Sequence, residues 1–418
     1  MEKLADFVTQ HITDDTSRLI LDRSKWPDID MELAVNCIES RRKLRGKVQE
    51  WYDDPRLIFP ARLSAEQCSS TATACYKASL ASRIGKSLAD LTGGLGVDSW
   101  FFSRRMDYVL YNEMQEKLCE AAVYNFRALG AENIKVSCNV AERGNIGNIL
   151  DGLHPDMIFM DPARRGEGGR KVFLIEDCTP DVLTLRDEIF SYSRHILLKL
   201  SPMADISMVC ERLGPACREV HVVASGGECK ELLIWMDREW KDDYIVTAVE
   251  LPAAYPEAEE ALFSFCPSEE KSCVPVDAVP ESLAGSEPEG LFLFEPGKAM
   301  MKAGGFNLMS RRFGAGKLGR STHYYISSSE ETAESLMDFG KVFRIIRIDT
   351  LDKKNIKQLG KDFPDADVSA RNIPMTSEML AKKLGCGPGN GIHIFGLKSD
   401  SEGALLITAR RITKQKHI

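Results

Sequence analysis

The string Asp90-Leu91-Thr92-Gly93-Gly94-Leu95-Gly96-Val97-Asp98 joins a short apolar stretch to an amphipathic one. A tight glycine turn between a strand and a helix lets backbone approach a ligand that any Cβ would exclude. An acid opens the turn, where a ligand ammonium needs a carboxylate partner. The spacing Asp-x-x-Gly-Gly-x-Gly also differs from the Gly-x-Gly-x-x-Gly that cradles a pyrophosphate, which weakens a nicotinamide dehydrogenase reading. About twenty residues on, the apolar run Tyr108–Tyr111 ends in Asn112-Glu113, and an acid at a strand tip can accept hydrogen bonds from ribose hydroxyls. The plainer reading of Glu113 is a surface cap on the following helix. Asn139, after the run Ile134–Val136, is placed either to meet an adenine amine or to cap a helix.

The fourth string, Asp161-Pro162-Ala163-Arg164-Arg165, directly follows the apolar run Met157–Met160. Pro162 biases Asp161 toward extended backbone, so that its carbonyl and carboxylate converge. Two converging acceptors draw the protons of an amine and free its lone pair. Asp-Pro is also common in ordinary turns; its register with the other three strings favours function. Arg164 and Arg165 open a glycine-containing loop with cations suited to a phosphate or a base face. Lys199, in Lys199-Leu200-Ser201-Pro202, and the turn Gly226-Gly227-Glu228-Cys229 are expected on the same sheet edge. Cys229 has no base pattern around it and reads as an ordinary thiol.

The elements that position these strings alternate in type. Candidate strands are Leu88–Leu91, Tyr108–Tyr111, Ile134–Val136, Met157–Met160, His195–Leu200, Glu219–Val223 and Leu232–Trp235, with helical stretches between most of them. That alternation predicts a parallel sheet covered on both faces. The short glycine turn before the last strand predicts that this strand runs antiparallel. Residues 1–84 read as a helical domain, with Ser64 or Ser70 as caps. Residues 250–295 are rich in Pro, Glu, Ser and Ala and read as a linker leading into a small domain. A last α/β unit is expected from strands Val342–Ile348, Ile392–Leu397 and Ala404–Thr408, with a helix at Ser377–Leu384.

The order Asp90 to Gly96, Glu113, Asn139 and Asp161-Pro162 resembles class I S-adenosylmethionine-dependent methyltransferases over about 150 residues. The resemblance implies a Rossmann-like seven-stranded methyltransferase core. It implies that Asp90, Thr92, Gly93, Gly94, Gly96, Asp98, Glu113, Asn139 and Asp161 hold S-adenosylmethionine. Asp161 and Pro162 would be catalytic, and Arg164, Arg165 and Lys199 would meet the substrate. Ala163 and Arg164 depart from the family's second proline and stacking aromatic. The form of the glycine turn with Asp98 is similar to bacterial ribosomal RNA guanine-N2 methyltransferases. With Lys199-Leu200-Ser201-Pro202-Met203 and Arg371-Asn372-Ile373-Pro374-Met375, the whole chain resembles bacterial methyltransferases that carry small ferredoxin-like and THUMP-like domains at the C-terminal end. The implied division is 1–84 helical, 85–245 methyltransferase, 246–325 linker and ferredoxin-like, and 326–418 THUMP-like.

Charge bears on the partner. The chain has a net charge of -8, yet residues 341–418 hold fifteen Lys and Arg against eight Asp and Glu, a balance of +7. The stretch 297–320 has Lys298, Lys302, Arg311, Arg312, Lys317 and Arg320 and no acid. Local basic patches mark nucleic-acid contact better than net charge does, so structured RNA is the expected partner. The other readings are a methyltransferase for a small molecule or protein, and a non-catalytic RNA-binding protein with a degenerate pocket. The twelve cysteines include no Cys-x-x-Cys pair and the histidines lack ligand spacing, so no metal is expected. With no apolar run of ~20 residues and no apolar leader, the expected location is the cytoplasm.

Overall fold

The computed structural model describes residues 2–164, 175–252, 255–277 and 288–413. The chain divides into two units, residues 1–225, 230–244 and 251–259, and residues 226–229, 245–250 and 260–418. Among the described residues no helix is long and apolar enough to cross a membrane.

The first unit contains seven main strands: β1 (Ser87–Asp90), β2 (Tyr108–Glu113), β3 (Ile134–Cys138), β4 (Met157–Met160), β5 (His195–Leu200), β6 (Cys217–Ser225) and β7 (Glu228–Asp237). Their order is β6-β7-β5-β4-β1-β2-β3. Strands β1 to β5 pair in parallel, and β7 runs antiparallel against β5, as the glycine turn before it required. The central strands are apolar throughout because helices cover both faces. All four residues of β4 are buried, as are Leu88 and Ala89 of β1.

Strands β4 and β5 coincide with their expected runs, whereas β2 and β3 extend beyond theirs. Asn112 and Glu113 are the last residues of β2 rather than residues beyond it. After β4 the chain makes a two-residue strand, Ala163–Arg164, paired with Cys178–Thr179. Arg165 lies outside the described residues, and of Arg164 only the backbone is described.

The N-terminal segment is helical as expected. Ser70, not Ser64, is the working cap. Its hydroxyl accepts from the Thr73 amide at 3.3 Å to start the helix Thr71–Ala81, while Ser64 lies inside the helix Arg62–Gln67. The helices Thr71–Ala81 and Val97–Ser103 pack together within this unit. Trp51 sits in the short helix Gln49–Asp53 and stacks on Phe59.

In the second unit the stretch expected as a linker holds regular structure. Ile245–Leu251 and Ala261–Phe265 form an antiparallel pair, followed by the helix Pro267–Ser272. Pro252, Pro256 and Pro275 sit in connections, while the apolar alternation of Ala261–Phe265 was too short to stand out. A seven-stranded sheet follows, built from Gly316–Lys317, Tyr325–Ser327, Phe292–Pro296, Gly340–Thr350, Gly403–Ile412, Ile392–Ser399 and Asp367–Arg371 in that order. Its two faces bury separate apolar clusters, one around Tyr324, Phe343 and Phe395 and one around Leu359, Leu380 and Ile394. The two small modules read from the sequence thus contribute strands to one continuous sheet.

Candidate active site

The carboxyl ends of β1, β2, β3 and β4 open into a cleft of about 460 Å³. Asp90, Thr92, Gly93, Gly94, Gly96, Asp98, Glu113, Asn139, Asp161 and Lys199 all line it. Strand ends of an open parallel sheet are where such folds bind ligands, because loops diverge there and leave a crevice.

The glycine turn is held from several sides. Gly93 donates to the Asn112 carbonyl at 2.7 Å, and a Cβ at Gly93 would stand 2.1 Å from the Tyr111 ring. Gly96 has φ +93° and a Cβ there would meet Phe126 at 2.8 Å, so both strain and space require glycine. The Tyr111 hydroxyl donates to the Gly94 carbonyl at 2.6 Å.

Asp90 is buried. Its carboxylate accepts from the Thr92 amide at 3.0 Å and from the Ser99 hydroxyl at 2.6 Å. Its first task is therefore to shape the turn. Burial raises its pKa to about 7, against those two hydrogen bonds. Glu113 closes the adjacent loop, accepting from the Gly94 amide at 3.0 Å and from the Gln115 amide at 2.9 Å. It belongs to the cleft wall, not to an open surface. Asn139 is exposed and bonds Ser137 at 2.9 Å, while Asn112 ties the β1 and β3 loops together through the Leu91 and Asn139 carbonyls. The side-chain oxygen of Asn112, Oδ1, is buried without a hydrogen-bond partner among the described residues. Met114 and Val140, both exposed, give the cleft an apolar rim.

At the other end of the cleft, the Asp161 amide donates to the Thr92 hydroxyl at 2.6 Å. The Lys199 ammonium donates to Asp161 Oδ2 at 2.6 Å. Burial works against the charge on Lys199, but Asp161, Asp98 and Glu231 outweigh it, and its pKa lies above the usual lysine value. The amine-accepting carboxylate expected at Asp161 is thus already engaged by a cation. Pro162 is buried beside it and is not part of the cleft lining.

Behind this wall lies a charged group that the sequence reading passed over. Lys77 is completely buried. Its ammonium donates to both Glu231 oxygens at 2.8 and 3.0 Å and to Ser69 at 2.9 Å, and stands 3.2 Å from Asp98. Ser69 in turn donates to Asp98 at 2.8 Å. Burial raises the Glu231 pKa, with Lys77 and Lys199 opposing it. Ser64, Gln67, Cys68 and Ser69 also line the cleft, so the N-terminal helical segment supplies one of its walls. The available signal was the one charged residue, Lys77, in the helix Thr71–Ala81, and an acid, Glu231, directly before the apolar run Leu232–Met236 of β7.

A family profile for a ferredoxin-like domain matches residues 292–332, and one for a THUMP-like domain matches residues 340–411. The structure is similar to that of a candidate methyltransferase from Porphyromonas gingivalis W83. The two are 29% identical, with a TM-score of 0.84 over 98% of each chain. The chain has the class I methyltransferase fold, followed by ferredoxin-like and THUMP-like domains. Over smaller parts it is also similar to an rRNA methylase from Streptococcus thermophilus, at 11% identity over 39% of this chain and 94% of that one, with a TM-score of 0.30. TrmK of M. capricolum, in complex with S-adenosylhomocysteine, gives 11% identity over 40% and 70%, with a TM-score of 0.28. Likenesses this slight carry nothing further. None of the curated proteins matches the sequence.

Proposed function

We propose that the protein is an S-adenosylmethionine-dependent methyltransferase acting on a nucleobase nitrogen of structured RNA. The observation that carries the reading is the contact between the Gly94 amide and Glu113, which joins the glycine turn and the β2 acid into one wall of a single cleft. The fit to the cofactor is physical. Gly93 and Gly96 let the turn pack closely on the Tyr111 and Phe126 rings while Gly93 and Gly94 line the cleft, the Glu113 carboxylate suits ribose hydroxyls, and Asn139 with the apolar Met114 and Val140 suits an adenine.

In this reading Asp90, Thr92, Gly93, Gly94, Gly96 and Asp98 hold the methionine end, Glu113 the ribose and Asn139 the base. When bound, the cofactor supplies an electrophilic methyl carbon on a sulfonium. The protein's contribution is proximity and orientation. Asp161, fixed through Thr92, orients the acceptor, and Lys199, Arg164 and Arg165 are assigned to substrate binding. Residues 85–245 carry the transfer, and the basic segments within 246–418 make the RNA contacts. The form of the glycine turn favours guanine, with N2 as the first position to test; the engagement of Asp161 by Lys199 bears on that choice.

The test is mass spectrometry of nucleosides from total RNA of cells with and without the protein. One methylated nucleoside should be lost without it. Unchanged RNA modification, together with no heat on titrating S-adenosylmethionine into the protein, would refute the proposal.

A further inference from the structure

The Asp161–Lys199 pair is the best-defined polar feature at the substrate end of the cleft. Lys199 lies on β5 and Asp161 directly follows the neighbouring parallel strand β4, whose Met160 is in register with Leu198. Asp161 therefore leaves β4 beside Lys199 of β5, and the two side chains enter the cleft together, 2.6 Å apart. The Lys199 side chain is 13% exposed and that of Asp161 38% exposed, so both can meet a bound group. Asp98 and Glu231 surround Lys199 from behind, and Lys77 balances them. Cys68 and Lys47 also face it. The cation is built into the wall and is not a mobile surface lysine.

An exocyclic amine needs acceptors for its hydrogens. Here one oxygen of the only side-chain acceptor of the Asp-Pro string already holds an ammonium, whose three donors repel an amine's hydrogens. The same pair presents an acceptor and a donor side by side. That suits a ring N–H adjacent to a carbonyl. We infer that Asp161 and Lys199 act together on a ring nitrogen beside a carbonyl, so that the methylated base shows a lactam edge, as guanine does at N1 and uracil at N3. This rests on the methyltransferase reading above and moves the target from the amine to the ring.

In the transfer, Asp161 accepts the ring proton. Negative charge collects on the adjacent carbonyl oxygen, where the Lys199 ammonium stabilises it. The freed nitrogen pair forms the bond to the methyl carbon as the carbon–sulfur bond breaks and its pair returns to sulfur. The products are an N-methyl base, a neutral thioether and a proton on Asp161, which passes to solvent.

The experiment incubates the full-length protein with labelled S-adenosylmethionine and RNA from cells lacking it, then resolves the nucleosides by mass spectrometry. Label in 1-methylguanosine or 3-methyluridine is the expected result. Label in N2-methylguanosine, N6-methyladenosine or a 2′-O-methyl nucleoside overturns the inference and leaves the methyltransferase reading standing. No labelled nucleoside overturns both. Lys199→Met should lower kcat about 100-fold or more, Lys199→Arg should recover part of it, and S-adenosylhomocysteine affinity by calorimetry should stay within about threefold of wild type. Turnover of Lys199→Met near wild type, or a loss of about tenfold in S-adenosylhomocysteine affinity, would overturn the role of Lys199.

Discussion

Lys77→Met tests whether the buried charges behind the cleft form one unit. The substitution keeps the apolar stem and removes the ammonium that two Glu231 oxygens, Ser69 and Asp98 share at 2.8 to 3.2 Å. Glu231 is 3% exposed, so bulk solvent hardly reaches it. Removing one partner of a buried pair costs about 3–5 kcal/mol, because the other charge is left uncompensated. A unit of this size loses roughly 2–4 °C per kcal/mol, so melting should fall by roughly 6–20 °C. Replacing both partners with apolar residues removes the stranded charge, and Lys77→Met with Glu231→Leu should regain at least half of the loss.

The effect has a pH signature. Burial holds the Glu231 pKa above its usual value of 4.5 even beside Lys77, and more so without it. A raised carboxyl pKa means that folding favours the protonated form. That contribution is full below the unfolded value and is lost as pH rises through the folded one. The Lys77→Met penalty should therefore be smaller near pH 5 than near pH 8, read by thermal and denaturant melts at each pH. A penalty under about 1 kcal/mol, or a double variant as unstable as the sum of the singles, would refute the argument.

Gly93→Ala should abolish cofactor binding in calorimetry, since its Cβ would stand 2.1 Å from the Tyr111 ring; affinity near wild type would show that the turn yields more easily than its packing implies. Asp90, with its pKa raised from 3.8 to about 7, should make the first unit lose stability as pH rises through 7, and Asp90→Asn should flatten that slope in melts across the range. Asp161→Ala should stop methyl transfer while calorimetry still detects the cofactor, and persistent turnover would remove Asp161 from the chemistry. Glu113→Ala loses both amide partners and should weaken cofactor binding about tenfold or more.

Much of the core was legible in the chain itself. Four apolar runs, each ending in a polar residue of the right kind, placed Asp90, Glu113, Asn139 and Asp161 in order, and a parallel sheet must bring such strand ends to one edge. The antiparallel β7 followed from a two-glycine turn too short for a crossover. Local spacing carries this information because strand, turn and helix each need only their own neighbours in sequence.

What the tertiary structure decided concerns partners far apart in the chain. Lys77 and Glu231 are 154 residues apart, and nothing around either names the other. Whether Asp161 faces the cleft as a free acceptor or paired with Lys199 depends on which strands are neighbours, a matter settled by sheet order. The same holds for Ser64 and Gln67 of one helix and Cys68 and Ser69 just past its end, residues without a motif that become a wall of the cleft. The sequence determined the types of group at the strand ends; folding determined which charges compensate one another, because a charge taken out of water must find its partner wherever the chain brings one.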